Sequence, residues 1–320
     1  MKTLAFTDHL TTAEARPVLD DLVYVRTVMV NLYFIGPPRA GDRRWVLVDT
    51  GMTGSADRIA RAAKKRFGPD ARPAAIVLTH GHFDHVGALE PLADRWDAPV
   101  YAHPMELPYL TGRSSYPPPD PSVGGGLISA LSWSFPRGPI NLGNRVNPLP
   151  EDGTVPGLPD WRWVFTPGHT PGHVALFRDA DRTLIAGDAV VTTRQESVQA
   201  VMAQRHELRG PPMYFTPDWT AAARSVATLA ALDPEVVATG HGEPLRGASL
   251  RADLHALARD FSRRAVPRRG RYVNRPAEAD RNGVVALPPE VSDLLPELLL
   301  GTGETSEFVR TFLGDDTVEK

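Results

Sequence analysis

The sequence predicts a mixed α/β (α+β) fold. Short apolar runs of strand length recur along the chain, amphipathic segments with helix-capping residues separate them, and several of the apolar runs end on a histidine or an aspartate. The 320 residues allow one large domain or two ordinary ones. With 42% hydrophobic and 23% charged residues the chain can bury a core, which excludes a dominantly disordered protein. A net charge of −3 gives no broad attraction to nucleic acid or to an anionic membrane. Cysteine is absent, so disulfides, thiolate ligands, iron–sulfur clusters and a cysteine nucleophile are excluded. Metal chemistry would have to run on carboxylates and the ten histidines. No secretory pattern opens the sequence, and no apolar run approaches the ~18–20 residues that span a bilayer. A soluble cytoplasmic protein is expected.

In order along the chain, residues 22–35 suit one or two half-buried strands, and 44–49 form a strand that feeds the turn Asp49-Thr50-Gly51. Ser55 is placed to cap a helix over 56–67, with Ile59, Ala60, Ala63 and Phe67 on one face and Gly68 as its stop. A fully apolar strand over 74–79, a short helix over 87–96 and a strand over 100–103 follow. The segment 104–159 changes character. It holds Pro117-Pro118-Pro119, Gly124-Gly125-Gly126, Tyr109, Tyr116, Trp133 and Phe135, and reads as an ordered lid with a short helix near 127–133. Strands are expected over 161–166, 173–177, 183–186 and 235–239. A helix capped by Thr216 and opened by Pro217 should run to Leu232, and another should cover 250–261. An Arg-rich stretch from Arg263 to Arg275 and a polar, acidic end from Gly314 close the chain. The organisation expected is a catalytic domain over 1–262, with the lid at about 104–159, and an Arg-rich extension over 263–320 whose end frays.

The chemistry centres on Thr79-His80-Gly81-His82-Phe83-Asp84-His85, which leaves a buried strand end. Imidazole and carboxylate suit zinc, iron or manganese, and four such groups exceed what one metal with an open position needs, which points to two metals. Three further strings place a histidine or aspartate at a strand end: Thr166-Pro167-Gly168-His169-Thr170-Pro171-Gly172-His173, Ala186-Gly187-Asp188 and Thr239-Gly240-His241-Gly242.

Together these strings resemble the metallo-β-lactamase-fold hydrolase superfamily, in its glyoxalase-II and lactonase-like branch, from about Val23 to Arg246. The resemblance implies a four-layered αββα sandwich with a dinuclear metal centre between the sheets. It implies that His80, His82 and His169 hold one metal, that Asp84, His85 and His241 hold the other, and that Asp188 bridges them beside a hydroxide. Asp49 would orient the metal-binding loop, and His173 would support the ligands from a strand start. His103 reads as a supporting or exposed residue, and His9, His206 and His255 as surface or packing residues.

Such a centre implies hydroxide attack on a carbonyl or phosphoryl carbon or phosphorus, with Asp84 passing a proton to the leaving group. Two divalent ions, zinc foremost and iron or manganese as alternatives, are the expected cofactors, with no nucleotide. The substrate expected is a small ester, lactone or thioester. True β-lactamases of this family usually carry cysteine or serine where Asp188 stands, which disfavours antibiotic hydrolysis. Tyr214, downstream of Asp188, lies where lactonases use a tyrosine near the carbonyl, although packing against the next helix is its plainer role. Alternatives are a phosphodiesterase or nuclease of the same fold, a mononuclear iron persulfide dioxygenase, or a metal-binding module without turnover. A homodimer is compatible with the sequence; nucleic-acid and membrane partners are not expected.

Overall fold

The protein is described by a computed structural model over residues 14–204 and 206–290. His9 and the acidic end from Gly314 lie outside the described residues.

Seven strands pair in chain order in the first sheet: β1 (Arg16–Leu19), β2 (Leu22–Thr27), β3 (Val30–Ile35), β4 (Val46–Val48), β5 (Ala75–Val77), β6 (Val100–Ala102) and β7 (Val146–Pro148). The first four are antiparallel to their neighbours; β4 through β7 run parallel. The second sheet contains β8 (Thr154–Val155), β9 (Leu158–Phe165), β10 (Val174–Arg178), β11 (Thr183–Gly187), β12 (Val236–Thr239) and β13 (Leu245–Arg246), antiparallel except where β11 meets β12.

Alternation along each strand assigns its side chains to two different cores. Leu22, Tyr24, Val46, Val48, Ala75 and Val77 point toward Val174, Leu176, Ile185, Val236 and Ala238, filling the space between the sheets. Their neighbours Val23, Val25, Leu47 and Ile76 face outward onto helices α1 (Ala56–Phe67) and α2 (Leu89–Trp96). On the other side Ala175, Phe177, Leu184, Ala186 and Val237 pack under α3 (Trp219–Ala231) and α4 (Ala248–Arg259). Four layers follow, helix–sheet–sheet–helix, as expected. Trp45 anchors the first helical layer: it stacks on Phe67 of α1 at 4.4 Å and meets Trp96 of α2 edge-on at 5.5 Å. Such aromatic pairs contribute ~0.5–1.5 kcal/mol each beyond the area they bury.

The sheets are also stitched by polar groups at one end. The buried Asn31 donates from its amide nitrogen to the carbonyls of Thr239 and Gly242, at 3.0 and 2.6 Å, and its main-chain N–H reaches Gly240 O at 2.7 Å. The Tyr33 hydroxyl donates to Thr239 O at 2.7 Å, and Val174 N–H to Thr79 O at 2.9 Å. This end of the sandwich is where the histidine strings emerge.

Some expectations change. Ser55 sits at the start of α1 but makes no side-chain capping bond. The cap of α3 is Asp218, which accepts from Ala221 N–H at 2.8 Å, and not Thr216, whose hydroxyl donates back to Pro212 O at 2.8 Å. Pro217 therefore precedes the helix instead of opening it. In the 104–159 segment Tyr109 and Tyr116 are buried, whereas Trp133 is 70% exposed. The expected helix there is the turn Leu127–Ala130 followed by a 3-10 turn, Ser132–Ser134. The compact unit does not stop at residue 262 but continues to Leu287. Tyr272 enters the core beneath α3 and α4 and donates to Pro118 O at 2.8 Å, while the Arg271 N–H donates to Asp120 and the Arg269 guanidinium to Ser122 O. The Arg-rich stretch thus braces the Pro-rich segment. Among the described residues no helix is long and apolar enough to cross a membrane.

Replacing Asp218 by alanine should lower stability by ~1 kcal/mol, the usual worth of a helix cap. Chemical denaturation would measure it, and Ser55→Ala should cost less.

Candidate metal centre

Each functional side chain sits just beyond the carboxyl end of a buried strand. β4 leads to Asp49, β5 to the 79–85 loop, β11 to Asp188 and β12 to His241; the turn between β9 and β10 carries His169 and His173. His80, His82, His85, His169, His173, Asp84, Asp188 and His241 are all buried.

For His80, His85 and His241, hydrogen bonds on the far side of the ring determine which nitrogen faces inward. The Thr79 hydroxyl donates to Asp49 Oδ2 at 2.8 Å, so it accepts from His80 Nδ1 at 3.1 Å and leaves His80 Nε2 a bare lone pair. His85 Nδ1 donates to Asp49 Oδ2 at 2.9 Å, and His241 Nδ1 to Met29 O at 2.9 Å, which turns both Nε2 atoms toward the centre. His82 Nδ1 lies 3.1 Å from His80 Nε2 and 3.0 Å from His169 Nε2. Ligand atoms fall into three groups within 4.8 Å of one another: His80, His82 and His169; His80, His85 and Asp188; Asp84, His85 and His241. Asp188 Oδ2 is 3.1 Å from His241 Nε2 and 3.5 Å from His169 Nε2, and its Oδ1 is 3.5 Å from His85 Nε2. Asp84 Oδ2 approaches His241 Nε2 at 3.3 Å. Buried and without a hydrogen bond, His85 Nε2 and Asp188 Oδ1 are what a site built for cations leaves open. The nitrogen and oxygen donor set fits divalent transition metals.

The two sides of this cluster differ electrostatically. Burial, reinforced by the neighbouring imidazoles, holds His80 and His169 well below the ordinary histidine range, and burial brings His82 down to about 4. These three rings are neutral. Burial is the largest single influence at His85 and His241 and works against protonating them, but the flanking carboxylates together outweigh it, Asp188 with Asp84 at each and Asp49 also at His85; His241 is pushed up to about 10 and His85 well above its usual value. Burial would raise both Asp84 and Asp188, yet the same two imidazoles hold them below the usual carboxylate range.

Comparison with known proteins agrees with this geometry. The family model described as "Metallo-beta-lactamase superfamily" matches residues 25–241. The chain belongs to the metallo-β-lactamase superfamily. Within it, the probable metallo-hydrolase YflN of Bacillus subtilis (strain 168) is 51% identical over 241 residues, 75% of this chain and 91% of that one. The probable metallo-hydrolase YybB of the same organism is 31% identical over 218 residues, 68% and 83% of the two chains. Among solved structures, a β-lactamase domain protein from Burkholderia ambifaria shares the fold at 22% identity and a TM-score of 0.53, covering 79% of this chain and 77% of that one.

All seven residues expected as ligands converge in one buried cluster of this superfamily member. Asp49 holds the 79–85 loop, accepting Thr79 N–H at 2.8 Å besides the two bonds above. His173 holds the main chain of Asp188, whose N–H donates to His173 Nε2 at 3.0 Å, while His173 Nδ1 pairs with Thr166 at 2.8 Å. Tyr214 is buried beside Phe215, Ile128 and Val201. His103 stacks on Phe165 at 4.5 Å, and the exposed His206 pairs with Glu243. Contributors that escaped the sequence reading include Thr79, which links Asp49 to His80, and Phe215, whose ring lies 4.6 Å from that of His82. Thr79 begins the histidine string and was readable there; Phe215 carries no local signal.

Gly240 leaves room for the centre, since a Cβ there would stand 2.0 Å from Asp188 Oδ1 and 2.7 Å from His85 Cε1. Gly240→Ala should fold but carry less metal per chain by elemental analysis. In the metal-free protein His85 and His241 hold protons that a cation must displace, so metal loading near pH 7 should release protons and weaken as pH falls. Titration calorimetry in buffers of different ionisation enthalpy reads this directly, and identical heats in all of them would contradict it.

Proposed function

We propose that this metallo-hydrolase cleaves a small ester, lactone or thioester, using two divalent ions, zinc foremost, with iron or manganese also suited to the donor set. The observation that carries this reading is the position of Asp188, whose carboxylate lies within 3.5 Å of His85, His169 and His241 and so reaches both sides of the cluster. His80, His82 and His169 would hold one ion, Asp84, His85 and His241 the other, with Asp188 common to both. Bound there, the ions would lower the pKa of water and polarise the bond to be cleaved.

The chain's own groups supply the remainder. Asp49 and His173 keep the ligands in register through the bonds described above. Asp84, buried and held below the ordinary carboxylate range, is the base placed to carry a proton to the departing oxygen or sulfur. Beside it Phe83, Phe135, Phe215, Tyr214, Ile128 and Met29 form an apolar wall that keeps bulk water out and favours a partly apolar substrate. Burial first, then the charges of Asp84, Glu196 and Asp188, keep the Tyr214 phenol protonated, so it retains the O–H that a contact to a substrate carbonyl requires. For the nuclease reading, the Arg269 guanidinium, one of the cations that could meet a phosphate, donates to Ser122 O instead.

The test is a panel of lactones, thioesters, esters, phosphodiesters and β-lactams on metal-replete protein. Turnover of one of the first three classes, abolished by chelation, is expected. Asp84→Asn should lower kcat by ~10²-fold or more, in line with loss of a proton-transfer group. Tyr214→Phe should have a smaller effect. Cleavage confined to phosphodiesters would overturn the substrate assignment.

A further inference from the structure

Outside the ligand strings lies a carboxylate that contacts both loops of the proposed His80, His82 and His169 site. Glu106 follows β6, immediately before the helical turn Leu107–Leu110, and is fully buried. Its Oε2 accepts from Gly81 N–H at 2.9 Å, between His80 and His82, and from the Tyr116 hydroxyl. Its Oε1 accepts from the Thr170 hydroxyl at 2.8 Å, next to His169, and from Gly172 N–H at 2.8 Å. Four donors from three separate stretches of chain converge on two oxygens. The approach is close: a Cβ at Gly172 would stand 2.7 Å from Glu106 N and 2.9 Å from its Oε1. Tyr116 comes from the Pro-rich segment; its hydroxyl oxygen also accepts from Gly81 N–H at 3.0 Å, and its ring lies edge-on to the His82 ring at 4.6 Å.

We infer that Glu106 is a positioning residue for the His80, His82 and His169 site, setting the spacing of its two loops, and that Tyr116 makes the order of the Pro-rich segment part of that spacing. This rests on the metal assignment proposed above. Only an acceptor at both ends satisfies all four donors, so a carboxylate is required where an amide of the same shape would turn N–H groups toward two of them. Leaving buried donors unmatched displaces the loops, and residues that orient ligands in this way typically alter metal affinity 10- to 100-fold. Asp84, Asp188 and His241 make no hydrogen bond to Glu106, so the second ion should be little affected.

The experiment is titration of metal-free full-length protein with Co²⁺ and Zn²⁺ against a chromogenic chelator, with the Co²⁺ absorption spectrum recorded at each equivalent. Wild type should take two equivalents. Glu106→Gln should keep its circular dichroism and one tight equivalent, with the other weakened at least 10-fold and its Co²⁺ bands changed. Tyr116→Phe, which keeps the ring and removes the hydroxyl, should shift the same equivalent in the same direction by less. Two equivalents of wild-type affinity with an unchanged spectrum in Glu106→Gln would overturn the inference. If Glu106→Gln does not fold, Tyr116→Phe and Thr170→Val decide, and wild-type binding in both overturns it. Failure of the wild type to bind metal would instead refute the metal assignment and is thereby distinguishable.

Discussion

Asp49 stands at the end of β4 with a positive φ of 59° and accepts three hydrogen bonds, from Thr79 N–H, the Thr79 hydroxyl and His85 Nδ1. A side chain rarely adopts that backbone region unless its surroundings hold it there, although aspartate tolerates it better than most. Here the strain is matched to a purpose. The turn aims the carboxylate sideways, across from β4 to the loop after β5, and the parallel pairing of those two strands brings their ends together. Through Thr79 the same carboxylate reaches His80, so the orientation of two imidazoles depends on it. Without Asp49 the histidine string would be a buried loop with no reason to present its nitrogens in one direction.

The cluster divides into a neutral side and a charged side for reasons of composition and not of depth, because both are equally buried. At three imidazoles desolvation and the neighbouring rings outweigh the carboxylates within reach, and they lose their protons. Two imidazoles with carboxylates on their flanks keep theirs. Metal-free, the second side is an internal ion-paired network whose protons stand in for cations, and burial of that many charges is tolerated because they alternate in sign.

The layered fold was legible because it follows from local patterns, and those patterns also put histidine and aspartate strings at strand ends; which of them would hold metal came from the family resemblance. Alternation along β2, β4, β5 and β10 reports two buried faces, and a histidine or aspartate directly after an apolar strand has few places to go but the sheet end. Helix α1 matched to the residue, since its stripe of Ile59, Ala63 and Phe67 is unambiguous. Elements held by partners distant in sequence were not legible. The strands β1, β7, β8 and β13 are two to four residues long and exist because a neighbouring edge pairs with them. The start of α3 was misplaced because Thr216 and Asp218 both have capping side chains, and only the fold shows that the threonine hydroxyl is already committed to Pro212. Glu106 illustrates the limit most clearly: its four donors come from Gly81, Tyr116, Thr170 and Gly172, and nothing beside it in the sequence hints at any of them.

The return of the chain over the 104–159 segment has a consequence for the order of assembly. Synthesis proceeds from the amino terminus, so every proposed metal ligand has been made once His241 has appeared, yet Tyr272 and the main chain of Arg271, which tie down Pro118 and Asp120, come later. Folding can therefore bring the cation-binding groups together before the wall beside them is fastened. Until those two residues have emerged, the 104–159 segment lacks the ties to Asp120 and Pro118 that fix it in the finished fold.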